Sequence, residues 1–242
     1  MKSKWNIPLV IITAIISYLY QAVSSDKLPF LETNLSAEEL KFIKHYSFGI
    51  ILLLIILYVI CYIIVFLREH DYNKKVVCEN ICKSVFELIE KNEGHDYMQH
   101  VRVSIFKVNN LVSSNQCLKY YSRYQTRTPI KKSSIKYTPG KGCVGLCFET
   151  QTNISISIPE YEKSSKKYTE ETKKRFHLSE EEIDKLNIKS STFIGIPICC
   201  YNSGHTWGVL IVDSTKNTTN LEPLTREIEK IVNTCKVFFL EG

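Results

Sequence analysis

The sequence predicts an α+β fold, an antiparallel sheet flanked by helices, preceded by a two-helix transmembrane hairpin. Three observations predict it. Phe48 to Leu67 reads FGIILLLIILYVICYIIVFL, twenty residues without a charge. Several later stretches are strand-like, with apolar and β-branched residues bounded by turn residues. Between Pro139 and Pro159 the chain reads as turn, short helix, turn and strand, with Gly140 and Gly142 at the first joint.

Taken in order, Ile7 to Val23 is a first apolar run behind Lys2 and Lys4. Its basic start and the small residues Ala22-Val23-Ser24-Ser25 also fit a cleaved signal peptide. Its length, and Tyr18 and Tyr20 as interfacial anchors, favour a retained span. Ser36-Ala-Glu-Glu39 is a capping box, so a helix is expected from Ala37 into the second span, 48–67. Eight of the nine cysteines follow that span without framework spacing, which suits a reducing cytosol. The expected topology is multi-pass in the cell membrane with both termini cytoplasmic: residues 1–70 as anchor, 71–242 as a cytosolic domain. No charge falls inside either run, which argues against a selective channel. The net charge of +6 comes with both signs interspersed, so no nucleic-acid surface is expected.

Val77, Ile81, Val85 and Leu88 recur at helical spacing on the helix that leaves the membrane, and Asn92-Glu93-Gly94 ends it. Val101–Val108 alternates as a first strand, and Cys117–Tyr124 follows as a second. Gln125–Thr138 reads as a basic loop. After Gly142 a short helix stacks Val144 on Phe148 and Cys143 on Cys147, and Thr152-Asn153 stops it. Ile154, Ile156 and Ile158 then alternate with Ser155 and Ser157. Glu160–Ser191 is a long charged segment in which Ser179-Glu-Glu-Glu182 caps a short helix over 180–186. Strands are expected at 193–200 and 207–214, and a closing helix over about 225–239.

The run PGKGCVGLCFETQTN with its following strand, the FIGIPI stretch meeting WGVLIVDS, and LEPLTREI after them resemble, in order and spacing, the GAF-domain family over roughly residues 75–240. The resemblance implies that the first and last helices share one face of the sheet and that 160–191 closes a small-molecule pocket on the other. At the matched positions it implies Phe148, Tyr161, Tyr168, Phe193 and Asp213 as ligand-lining residues. It also implies dimer contacts through the terminal helices.

The expected function is therefore non-enzymatic: a membrane-anchored sensor that binds a small molecule and signals to a partner protein or to the lipid bilayer, as a homodimer. The ligand and any cofactor stay unassigned. The alternatives are a ligand-gated membrane-disrupting effector of a bacterial defence system, a dimerisation scaffold without ligand, and an enzyme like the free methionine sulfoxide reductases. The last is weakened because Val144 stands where those enzymes carry a cysteine. No metal site is expected, since the cysteine pairs lie on helices or a strand rather than on turns.

Overall fold

In the computed structural model the described residues are 13, 14, 17, 36–109, 116–126, 137–200, 203–218 and 220–239. The chain divides into two compact units, Met1–Asn73 and Lys74–Gly242. Helix α1, Ala37–Glu93, starts where the capping sequence predicts. It is the one helix among the described residues that is long and apolar enough to cross a membrane. Leu53, Ile56, Ile60, Ile63 and Leu67 all project outward from it. The expected first span, 7–23, lies outside the described residues except Thr13, Ala14 and Ser17. Of the two expected spans, the described residues include one helix of suitable length and composition.

The second unit is built on a five-stranded antiparallel sheet. Its strands are β1 (Val101–Asn109), β2 (Cys117–Tyr124), β3 (Ile154–Ser157), β4 (Thr192–Cys199) and β5 (Thr206–Ser214), arranged β2-β1-β5-β4-β3. The β4–β5 hairpin, expected from the resemblance, supplies the central strand β5 and its neighbour β4. Pro197 lies beyond the last β3 pairing at Gly195, on a stretch of β4 that has a partner strand on one side only. A missing N–H is compatible with that position.

On one face, Val103, Ile105, Ile194, Ile196, Leu210 and Val212 meet the C-terminal part of α1. The buried stripe of that helix is Cys78, Ile81, Cys82, Val85, Phe86 and Ile89, with Val77 and Leu88 only half-buried at its edge. The stripe is thus rotated slightly from the sequence reading, because the two cysteines act as small apolar side chains. Each buried Ile, Val or Phe contributes about 2 kcal/mol. Gly94, at φ 86°, closes the helix by donating its N–H to Glu90 O at 2.9 Å.

Helix α6, Leu221–Thr234, packs on the same face through Leu224, Ile228 and Val232. It begins four residues before the expected start. Pro223 sits in its first turn, where no N–H is needed. A 3-10 turn over Lys236–Phe238 replaces the expected last helical turn and lays Phe239 on Trp207, ring centroids 4.6 Å apart.

The opposite face carries α3 (Gly142–Thr150), α4 (Ser165–Phe176) and α5 (Glu180–Asp184). Helix α2, His95–Met98, is one turn leading into β1. Helix α3 ends at Gln151, whose φ of 52° is left-handed, slightly before the expected stop. Helix α4 falls inside the segment read as largely irregular. Its buried residues Tyr168, Thr172 and Phe176 stand four apart, a stripe too narrow to stand out among the surrounding lysines and glutamates. Helix α5 carries the predicted capping box between Ser179 and Glu182. Of the basic loop, residues 127–136 lie outside the described ones; Tyr137 pairs with Leu118 beside β2.

Gly145 lets the turn before α3 fold back against the helix. A Cβ there would fall inside the van der Waals envelope of the Thr138 carbonyl oxygen, which is backbone and cannot swing away. Gly145→Ala is expected to destabilise the domain by about 3 kcal/mol, an overpacking penalty. Gly94→Ala, with open space around its Cβ and only backbone strain, is expected to lose about 1 kcal/mol. Thermal unfolding of the two variants side by side checks the ordering.

Candidate ligand cavity

Alternation along the strands sends Arg102 and Phe106 from β1, Phe193 from β4, and Ile211 and Asp213 from β5 to the face opposite α1 and α6. The register sets these side chains beside one another: Arg102 is opposite Asp213, and Asp213 is opposite Phe193. Above them stand Cys143 and Val144 of α3 and the Tyr168–Thr172–Phe176 stripe of α4. Leu178, Leu186, Ile188 and Ser190, from the segments flanking α5, complete the wall with Tyr137. They enclose a cavity of about 60 Å³.

The polar part of the cavity is one network. Arg102 Nε donates to Asp213 Oδ1 at 2.9 Å and Nη2 to Oδ2 at 2.5 Å. Ser190 Oγ donates to Oδ2 at 2.6 Å. Burial opposes the Arg102 charge, but the attraction and hydrogen bonds of Asp213 outweigh it, so its pKa is raised. Arg123 on β2 reaches Ser104 at 3.0 Å, and its pKa is lowered, first by burial and then by the Arg102 charge. Burial also raises the Tyr137 and Tyr168 phenols, which stay neutral. The Thr172 hydroxyl is fully buried and makes no hydrogen bond of ordinary geometry among the described residues. It lies near enough to the Tyr168 hydroxyl to oppose part of that phenol's rise.

The lid over the cavity is fastened to the glycine turn before α3. His177, left-handed at φ 52° after α4, sets Nδ1 3.2 Å from the Gly140 carbonyl. Lys141 Nζ and Glu182 Oε1 stand 2.7 Å apart. Lys173 and Glu180 join α4 to α5 at 2.5 Å. Phe176 and Phe193 meet edge-on across the cavity, centroids 4.8 Å apart. The Lys141 hydrogen bond and the Ser179 N–H hold the Glu182 carboxyl below its ordinary range.

Of the residues named from sequence, Tyr168, Phe193 and Asp213 line the cavity. Phe148 is half-buried on α3 beside the same core but outside the cavity wall. Tyr161 is 40% exposed and leans edge-on against Tyr168 at 5.3 Å, also outside the wall. Arg102, Tyr137, Thr172 and Ser190 were not anticipated. Arg102 carried little signal, because it alternates with Ser104 on the polar side of its strand, where a guanidinium is ordinarily solvated. Ser190 and Thr172 carried none, since both sit in polar sequence.

Cys143 faces the cavity and Cys147 accompanies it one turn on. Burial pushes Cys143 well above the ordinary thiol range and Cys147 up to about 12. Among the described residues no cluster of histidine, cysteine or carboxylate side chains has metal-binding geometry.

No known family and no curated protein matches the chain by sequence. Among solved structures it is similar to a type II free methionine-R-sulfoxide reductase from Thermoplasma acidophilum (14% identity, 72% of this chain, 99% of that chain, TM-score 0.43). It is also similar to the nlh2 GAF domain of A. aeolicus in an inactive state (18%, 72%, 97%, 0.40). A third is the NreA protein of Staphylococcus aureus, mutated in its nitrate-binding site (15%, 65%, 95%, 0.38). TM-scores this low carry no weight for what the chain binds or does.

Two outcomes follow from the electrostatics. Iodoacetamide at pH 7.5 is expected to leave Cys143 and Cys147 unmodified in the folded chain and to label both after denaturation, as read by peptide mass spectrometry. The Glu182 pKa is depressed, so its contribution is present above the unfolded value of about 4.3 and is lost as pH falls through the folded value. Between pH 6 and pH 3 the melting temperature of the wild type should therefore fall further than that of Glu182→Gln.

Proposed function

We propose that residues 74–242 are a GAF-like small-molecule-sensing domain and that the apolar part of α1 anchors it to a membrane, with the domain on the cytoplasmic side. The observation that carries this reading is the cavity. It lies between sheet and lid, has apolar and aromatic walls, and holds a few polar groups at one side, the lining though not the volume usual for a small-molecule site. The glycine turn and the β4–β5 hairpin that resemble GAF domains are the elements that frame it.

Binding is favoured over catalysis by the state of the cysteines. A thiol nucleophile needs a lowered pKa and access, and Cys143 and Cys147 have neither. The anchor reading rests on the run of outward apolar side chains between Leu52 and Leu67, unsuited to water. Val237 and Phe238, about half exposed after α6, suit self-association near the closing helix. The output then passes to a partner protein or to the bilayer.

The test is thermal unfolding of the full chain in lipid nanodiscs against nucleotides, cyclic dinucleotides, amino acids and small metabolic acids. A ligand at a hundred times its Kd adds about 2.7 kcal/mol. Stabilisation by one compound class, lost in Phe193→Ala, is the expected result. A flat response across the panel, with the chain folded and membrane-bound, would leave the dimerisation scaffold as the better reading.

A further inference from the structure

One end of the second unit gathers lysines around two outward apolar side chains, and the packing shows which end it is. Helix α1 runs beside β2 in the same direction. The Glu79 charge acts on Tyr120, Cys82 stands beside Ser122, and Phe86 meets Tyr124 with ring centroids 5.0 Å apart. Helix α6 runs the opposite way. Just before it, Thr218 Oγ1 donates to Glu93 at 2.6 Å, and its Glu227 accepts from Asn92 at 3.4 Å. Its far end returns to β2: Phe239 lies on Trp207, and Trp207 meets Tyr121 edge-on at 5.4 Å. The 3-10 turn Lys236–Phe238 therefore sits at the end of the domain where the chain enters at Lys74.

The charges at this end share one sign. Lys119 lies directly opposite Lys107 in the β1–β2 register, and Lys107 Nζ is 5.3 Å from the Tyr121 ring and 5.6 Å from the Trp207 ring. Like charges directly opposite each other oppose strand pairing, and an anionic surface beside them relieves this. Lys236 opens the 3-10 turn, and Lys74 and Lys75 open this part of α1. Glu79 offsets one of these five charges.

The apolar part is a consequence of the turn. Burying Phe239 completely turns its neighbours outward, so that Val237 is 51% and Phe238 53% exposed. Apolar side chains flanked by lysines suit the boundary between lipid headgroups and acyl chains, where the ring enters and the ammonium stays with the phosphates. Exposure alone suits a second copy equally well, but the charge separates the two. A two-fold contact through this turn would set Lys236 and its neighbouring lysines against their own copies. Reach agrees with lipid: Lys74 follows Leu67 by seven residues, at most about 25 Å of chain whatever its path. An anchored chain thus presents this end to the bilayer at high effective concentration.

Resting on the anchor reading above, we propose that this end of the domain is a lipid-contact surface. Val237 and Phe238 enter the headgroup region of an anionic leaflet, and Lys75, Lys119 and Lys236 hold its phosphates.

The experiment uses the full chain in nanodiscs of phosphatidylcholine, alone or with about a third phosphatidylserine, a composition that makes the surface negative. Phe238→benzoylphenylalanine supplies a photoprobe, and mass spectrometry identifies what it captures. The expected result is lipid adducts in the anionic discs, with far fewer in neutral discs or at high salt. Each lysine near an anionic surface is worth about a fivefold shift in docking. The triple variant Lys75→Gln, Lys119→Gln, Lys236→Gln should therefore lower the adduct yield at least about tenfold. A matched variant on the lid, Lys166→Gln, Lys174→Gln, Lys185→Gln, should leave it unchanged.

Equal losses in the two triple variants would make the effect one of net charge and overturn the proposed surface. Equal yields in neutral and anionic discs would overturn the anionic assignment. Chain-to-chain adducts in place of lipid adducts would give the turn to a second copy, and the absence of both kinds would leave no contact there. Alkaline carbonate extraction of the same chains from vesicles keeps the two readings apart. Retention in the membrane without lipid adducts defeats this proposal alone, whereas release of the wild type defeats the anchor reading and this proposal with it.

Discussion

Asp213 lies 3% exposed near the end of the central strand β5, and a carboxylate in that position is tolerable only with its charge answered. Arg102 answers it from the neighbouring strand in a two-point contact, and Ser190 adds a third donor from the segment that leads into β4. Removing one member of such a pair leaves an uncompensated buried charge, at about 3–5 kcal/mol. The pair therefore fixes more than itself. It holds β1 and β5 in the register that brings Arg102 opposite Asp213, and it ties the end of the lid segment to the sheet centre. The cavity exists because this polar cluster cannot be packed over by hydrocarbon as the opposite face is.

The two faces of the sheet differ for that reason. Against α1 and α6 the inward side chains are mainly apolar, with Ser122 beside Cys82 among the exceptions. Against the lid, the sheet presents Arg102, Ser104 and Asp213 among Phe106, Phe193 and Ile211. A helix laid directly on those groups would have to satisfy or exclude them. The chain spans the gap with two short helices standing off the sheet, fastened at their ends by His177, Lys141 and Glu182.

What could be read from the sequence follows from what has a period. The alternation at 154–158, the central hairpin and the capping box at Ser179 are local signals, and each element formed where it was read. The division of helices between the two faces, which the resemblance implied rather than any local period, is also observed. Helix α4 was missed because its contacts with the core are three residues in twelve, and their neighbours are charged. The start of α6 was misplaced because Pro223 resembles a boundary, although a first-turn proline is compatible with a helix. The cavity was harder still. Tyr168, Phe193 and Asp213 could be named because aromatic and acidic residues at matched positions stand out. Ser190 and Thr172 acquire their roles only from long-range register and from a lid whose path no local pattern encodes.

The lid fastenings bear on how any ligand gets in. The His177 contact and the Lys141–Glu182 pair both converge on the turn at Gly140 and Lys141, and both are partly exposed. Exposed pairs of this kind contribute little each, about 0–1 kcal/mol. The aromatic contact between Phe176 and Phe193 is about as strong, at 0.5–1.5 kcal/mol beyond its burial. Lifting the lid would also expose Tyr168, Phe176, Leu178 and Ile183, so burial of these side chains, more than the fastenings, sets its cost. A ligand that touches both the sheet and the lid would change that balance, because it would add a contact present only when the lid is closed. Binding energy spent there becomes a preference between open and closed states, which is what a sensing domain needs in order to report occupancy.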